Sequence, residues 1–150
     1  MTAIDKLKEV SAFLKSKGIE DAAKEAEILI IETLRISKSK LYAGSFEMSE
    51  DESKQIDALA SRRARREPLQ YILGHVEFCG LKIKVGQGVL IPRPETELLA
   101  EEVIKAINTS NPPTPPFTKG GHGGITKSEL KVLDLCTGSG CLALAIAKHF

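Results

Sequence analysis

The segment from Lys131 to Phe150 constrains this chain most. Lys131–Leu135 is a short apolar run rich in β-forming residues, Cys136-Thr137-Gly138-Ser139-Gly140 is a glycine loop, and Leu142–Phe150 reads as the start of an Ala/Leu/Ile helix. Strand, glycine loop and helix in that order are what matter. Such a loop lets main chain approach a ligand closely, presents N–H groups from the helix start and removes the steric cost of side chains. Asp134, at the strand end, can orient the loop or accept a hydrogen bond from a cationic or hydroxylated ligand. Two glycines alone can also be a tight turn, and the flanking strand and helix are what favour a binding loop. The spacing does not fit the full dinucleotide fingerprint, although Ala143 can stand for its last glycine, so dinucleotide binding stays open.

Upstream, the chain changes character twice. From Ile4, the residues Leu7, Val10 and Leu14 recur at helical spacing up to Gly18, and a second helix runs from Glu20-Asp21 through Ala22, Ala26, Leu29, Ile30 and Leu34. A short helix is expected around Leu41–Ser45. Ser49 and Glu52 then form an S-x-x-E capping box, opening a helix that carries Ile56, Leu59 and Ala60 and ends at Glu67, before Pro68. Residues 1–67 therefore read as a helical bundle without clustered His, Cys or carboxylates, better suited to docking than to catalysis. Arg62, Arg63, Arg65 and Arg66 form a basic cluster at its last helix end, where solvation and the helix dipole are the plain explanation and contact with a partner the alternative.

After Pro68 the pattern alternates. Val76 and Phe78, a Cys79-Gly80 turn, and Leu81, Ile83 and Val85 predict a β-hairpin, with a short strand over Val89–Ile91 after Gly86 and Gly88. Pro94 fits the first position of a helix whose Glu95 and Glu97 suit its dipole and whose Leu98, Leu99, Val103 and Ile107 form the expected buried face. Residues 108–124 hold four prolines and four glycines with little to bury, and read as a mobile inserted loop. The organisation expected is thus a docking domain over 1–67, a hairpin linker over 68–92, and the start of an α/β domain over 93–150.

With 42% hydrophobic and 27% charged residues and a net charge of +1, the composition is that of a soluble globular protein and demands no nucleic-acid partner. Cys79, Cys136 and Cys141 match no zinc spacing and read as free thiols of a reducing cytoplasm. Met1–Val10 is neither a signal peptide nor a membrane span. His75, His122 and His149 are scattered.

Val132-Leu133-Asp134-Leu135-Cys136-Thr137-Gly138-Ser139-Gly140-Cys141 resembles the first motif of S-adenosylmethionine-dependent methyltransferases. Leu90-Ile91-Pro92-Arg93-Pro94-Glu95-Thr96-Glu97 and Arg66-Glu67-Pro68-Leu69-Gln70-Tyr71-Ile72-Leu73-Gly74 narrow the resemblance to the release-factor glutamine methyltransferases, the PrmC/HemK family, across the chain apart from the inserted loop. The resemblance implies an α + α/β architecture: a helical bundle, a hairpin linker and the beginning of a Rossmann-like methyltransferase domain. It implies N5-methylation of the glutamine of the Gly-Gly-Gln motif in class I peptide chain release factors. S-adenosyl-L-methionine would sit on Cys136, Thr137, Gly138, Ser139 and Gly140, with Asp134 supporting the loop and Arg93 and Thr96 beside cofactor or substrate. Cys136 departs from the glycine common at that position.

An amide nitrogen is a weak nucleophile, and the family relies on a downstream Asn-Pro-Pro-Tyr motif to align it, a positioning strategy. That motif and the later acidic residue for the ribose hydroxyls are expected beyond Phe150; Asn111-Pro112-Pro113, followed by Thr114, is a coincidence. The chain thus looks truncated, and on its own it is expected to be inactive. The alternatives are a stand-alone helical binding module and another Rossmann-like nucleotide-binding enzyme.

Overall fold

The computed structural model describes residues 1–110, 132–135 and 137–150. They divide into two compact units, Met1–His75 and Val76–Phe150.

The first unit is helical. Helix α1 (Ala3–Ser16) is capped by Thr2, whose side chain accepts from the Asp5 N–H, and buries Leu7, Val10 and Leu14. Helix α2 (Ala22–Leu34) packs along it and ends where Arg35 turns left-handed at φ 52°. Ser37 caps α3 (Lys38–Tyr42), so this short helix lies three residues earlier than the reading around Leu41–Ser45. The capping box of α4 (Glu50–Ala64) forms in full: Ser49 accepts from the Glu52 N–H and Glu52 accepts from that of Ser49. Helix α4 stops short of Glu67, because Arg66 turns left-handed at φ 71° and the Arg65 N–H closes back on the Arg62 carbonyl.

Sequence periodicity overlooks α5 (Leu69–Leu73), which starts directly after Pro68 and closes on left-handed Gly74 at φ 77°. Proline ends the preceding helix but is preorganised to begin the next. Ile72 of α5 joins Leu14, Leu29, Ile30, Leu41 and Ile56 in one core. Beneath α1, Lys6 is only 2% exposed and its Nζ is held 2.7 Å from Asp57 and 3.3 Å from Glu9.

The second unit opens on a β-hairpin, β1 (His75–Phe78) and β2 (Leu81–Lys84), the only sheet among the described residues. Cys79 and Gly80 have φ of 47° and 67°, the positive pair that a two-residue turn matching the strand twist requires. Helix α6 (Glu95–Ser110) packs on α7 (Cys141–His149). Among these residues no helix is long and apolar enough to cross a membrane.

Four expectations for this unit need correction. Val89–Ile91 forms no strand: it follows a turn at Gln87-Gly88, closed by the Val89 N–H on the Gly86 carbonyl, and Leu90 is 73% exposed. Val132–Asp134 pairs with no strand; a central parallel strand needs a partner on each edge, and the described residues supply none. On α6 the fully buried residue is Ala100, while Leu98 and Leu99 are exposed. Helix α6 also runs through Asn108–Ser110, the beginning of the expected loop; residues 111–124 lie outside the described set.

Candidate functional site

The glycine loop enters α7 through Gly140, which occupies the cap position at φ 74° and provides no capping side chain. The Gly140 N–H donates to the Thr137 carbonyl at 2.8 Å, and the Leu144 N–H donates to the Gly140 carbonyl at 3.0 Å. Gly138 is left-handed too, at φ 55°. A Cβ placed on Gly140 would meet no heavy atom within 4 Å, so open space lies beside the main chain at the helix entrance. Main-chain donors without side-chain caps, at the positive end of a helix dipole, are the features that suit a polar ligand.

Asp134 stands just before the loop. Its Oδ2 is buried and has no hydrogen-bond partner among the described residues. A buried acceptor without a donor costs about 1–3 kcal/mol, which a ligand hydroxyl or ammonium would relieve. Asp134 also lines an apolar cavity of about 330 Å³ with Val132, Ala143, Ile146, Ala147 and Phe150.

Arg93 and Thr96 lie at the entrance of α6. The Thr96 N–H donates to the Arg93 carbonyl at 3.0 Å and the Glu97 N–H to the Pro94 carbonyl at 3.0 Å, which fixes the turn into the helix. Arg93 is exposed and Thr96 half-buried. Among the described residues no side-chain hydrogen bond joins either of them to Thr137–Gly140. Asp134, Thr137, Gly138, Ser139 and Gly140 are contiguous around the loop; Cys136 lies outside the described residues.

Sequence reasoning missed the brace behind this site. Glu97 accepts from the Cys79 N–H at 2.9 Å, and Lys148 Nζ donates to the Gly80 carbonyl at 3.1 Å. The hairpin tip is thereby tied to both helices whose entrances carry the site residues. These pairs join positions far apart in the chain, and no local pattern announces them. Burial pushes the Cys79 thiol above its ordinary range, and the carboxylates of Glu97 and Glu101 push it further the same way.

The basic cluster at the end of α4 is taken up within its own unit. Arg62 forms a fork onto Glu67 at 2.9 and 2.6 Å, Arg63 pairs with both oxygens of Glu25, Arg65 Nε donates to the Ser61 carbonyl, and Arg66 Nη2 donates to the Lys17 carbonyl at 3.2 Å.

The sequence is matched by known proteins. Residues 5–74 match the family model described as the PrmC N-terminal domain. The chain is 40% identical over 149 residues to the release factor glutamine methyltransferase of Thermodesulfovibrio yellowstonii, covering 99% of this chain and 46% of that protein. It is 38% identical over 138 residues to the protein of the same name from Geobacter sulfurreducens, covering 91% and 42%. A third such protein, from Chlamydia trachomatis, is 34% identical over 143 residues, covering 95% and 43%. Along nearly its whole length the chain is similar to release factor glutamine methyltransferases, and it spans less than half the length of these curated relatives.

Proposed function

We propose that this chain is the docking and cofactor-loop portion of an S-adenosyl-L-methionine-dependent enzyme. That enzyme methylates N5 of the glutamine in the Gly-Gly-Gln motif of class I peptide chain release factors, in the cytoplasm and without need of nucleic acid. In this reading residues 1–67 dock the release factor, 68–92 link, and 93–150 begin a Rossmann-like methyltransferase domain. S-adenosyl-L-methionine, when bound, supplies a methyl group on a sulfonium centre.

The residues of this chain bind and orient. Thr137, Gly138, Ser139 and Gly140, with Cys136, offer main chain for close approach, and Asp134 offers an acceptor to a hydroxyl or ammonium of the ligand. Arg93 and Thr96 contribute from the neighbouring helix entrance. The observation that carries the reading is the buried, unpartnered Asp134 Oδ2 immediately before a left-handed glycine loop at a helix start. Such a carboxylate suits a cofactor with hydroxyl and ammonium groups.

Calorimetric titration tests the cofactor. The chain is joined to the part of the Thermodesulfovibrio yellowstonii relative outside the matched region, and this joined protein is titrated with S-adenosyl-L-methionine and, separately, with NAD. Saturable binding of the sulfonium nucleoside alone is expected; binding of NAD alone would overturn the cofactor assignment.

A further inference from the structure

Lys6 is the one charged side chain buried among the described residues, at 2% exposure. Its Nζ lies 2.7 Å from Asp57 of α4 and 3.3 Å from Glu9 of α1, and both of these carboxylates are 53% exposed. Taking an ammonium out of water is costly, and an apolar replacement of a buried ion pair is often neutral or stabilising, so stability alone gives little reason for a lysine here. What Lys6 does accomplish is to pin two carboxylates side by side at the surface. Two carboxylates against one ammonium leave one negative charge there uncompensated.

Those carboxylates form one end of a groove. Helices α1 and α4 lie side by side and run the same way, since Lys6 meets Asp57 towards one end and Arg66 reaches the Lys17 carbonyl beyond the other. Between them opens a cavity of about 400 Å³ lined by Glu9, Val10, Phe13, Asp57, Ala60 and Ser61. Glu9 and Phe13 are four apart on α1, as are Asp57 and Ser61 on α4, so each pair shares one helix face. The short side chains of Ala60 and Ser61 leave the space open, and Phe13 is 37% exposed. At the far end the charge reverses. Lys17 Nζ stands 5.7 Å from the centre of the Phe13 ring, and Arg65 Nε donates to the Ser61 carbonyl. An apolar middle of Val10, Phe13 and Ala60 thus lies between an anionic and a cationic end.

From this arrangement we infer that the groove between α1 and α4 receives a protein segment with an apolar side chain next to a lysine or arginine, and that the segment belongs to the class I release factor. The choice of partner rests on the function proposed above, while the chemistry of the segment follows from the groove. The apolar side chain enters between Val10, Phe13 and Ala60, where burial of apolar surface drives association, and the cation meets Glu9 and Asp57. Both carboxylates are already oriented by Lys6, so docking orders little that is not ordered beforehand, and such preorganisation favours affinity. A carboxylate further along the segment would suit Lys17 and fix its direction in the groove. Nucleic acid does not fit, because its phosphates would meet Glu9 and Asp57.

A groove-filling substitution and a photo-crosslinker in the joined protein test the docking. Ser61 is exposed, so an indole placed there fills the groove from outside and leaves the core untouched. With circular dichroism as the fold control, Ser61→Trp should weaken binding of a full-length class I release factor about tenfold or more. Under ultraviolet light, p-benzoylphenylalanine introduced at position 13 should cross-link to a release-factor peptide in which a lysine or arginine stands beside an apolar residue. Replacing that cation by alanine should weaken binding, and the effect should shrink in Glu9→Gln, as a direct pair requires.

Unchanged release-factor affinity in a folded Ser61→Trp overturns the inference, as does absence of any binding. Cross-linking from position 13 only to a second copy of the chain, or to a release-factor segment without a cation, overturns it as well. The two readings fail separately. A release factor that is methylated by the joined protein yet indifferent to Ser61→Trp removes the groove and keeps the proposed function. One that cross-links at position 13 as expected and is never methylated keeps the groove and removes the proposed activity.

Discussion

Glu97 accepts a hydrogen bond from the main-chain N–H of Cys79 at 2.9 Å, so the first turn of α6 holds the hairpin tip. A hydrogen bond to a charged acceptor contributes about 1.5–3 kcal/mol. Glu97→Ala should therefore raise the exchange rate of the Cys79 amide and loosen the tip, while Glu97→Gln, which keeps an acceptor, should do so less. Removing the carboxylate also takes away one cause of the raised Cys79 thiol. Alkylation of Cys79 by iodoacetamide, followed by peptide mass mapping, should quicken in Glu97→Gln at pH 8. An unchanged amide and an unchanged alkylation rate would show that the bond does not form in solution.

Acid should weaken the helical unit through its paired carboxylates. Arg62 holds Glu67 below its ordinary range, Lys38 and then Tyr42 do so for Glu27, and the cap at Ser49 does so for Glu52. A carboxylate depressed in the folded state stabilises above its unfolded value, and that contribution disappears as pH falls through the folded one. Urea midpoints should accordingly hold steady from pH 7 to about 5 and decline below roughly pH 4.5. Glu67→Gln should flatten part of that decline; an identical profile in the variant would contradict the assignment.

The core of the same unit sets the scale of its mutations. Leu29 of α2 is fully buried in that core, and Leu29→Ala should cost about 2–5 kcal/mol of unfolding free energy. Ser49→Ala breaks the capping box and should cost about 1 kcal/mol. Chemical denaturation of both variants should place them in that order, and the reverse order would mean that the helices do not pack as described.

Gly138 combines a left-handed backbone with a place in the loop. Gly138→Val in the joined protein should strain the turn by about 1–2 kcal/mol and obstruct main-chain approach, weakening S-adenosyl-L-methionine binding about tenfold or more. Calorimetry with circular dichroism as a fold control checks this. Unchanged affinity would place the cofactor elsewhere.

Local chemistry was legible in the sequence and context was not. Ser49 with Glu52, the Cys79-Gly80 turn and the Leu7, Val10, Leu14 stripe each encode their geometry within a few residues, and each forms as read. Leu98, Leu99 and Leu133 misled because periodicity reveals which face is apolar, not whether anything covers it. Pro68 was read as an end when it also begins α5. At the candidate site the loop conformation at Gly138 and Gly140 could be foreseen from glycine alone. The Glu97 and Lys148 contacts to the hairpin tip could not, since each depends on elements folded together from distant positions.

Mass spectrometry of a release factor tests the central claim most directly. A class I release factor is incubated with the joined protein and S-adenosyl-L-methionine, and the peptide bearing its Gly-Gly-Gln motif is sequenced. One added methyl group is expected on the side-chain amide of that glutamine, lost when Gly138 is replaced by valine. A folded joined protein that leaves this glutamine unmodified, or methylates a different residue, would contradict it.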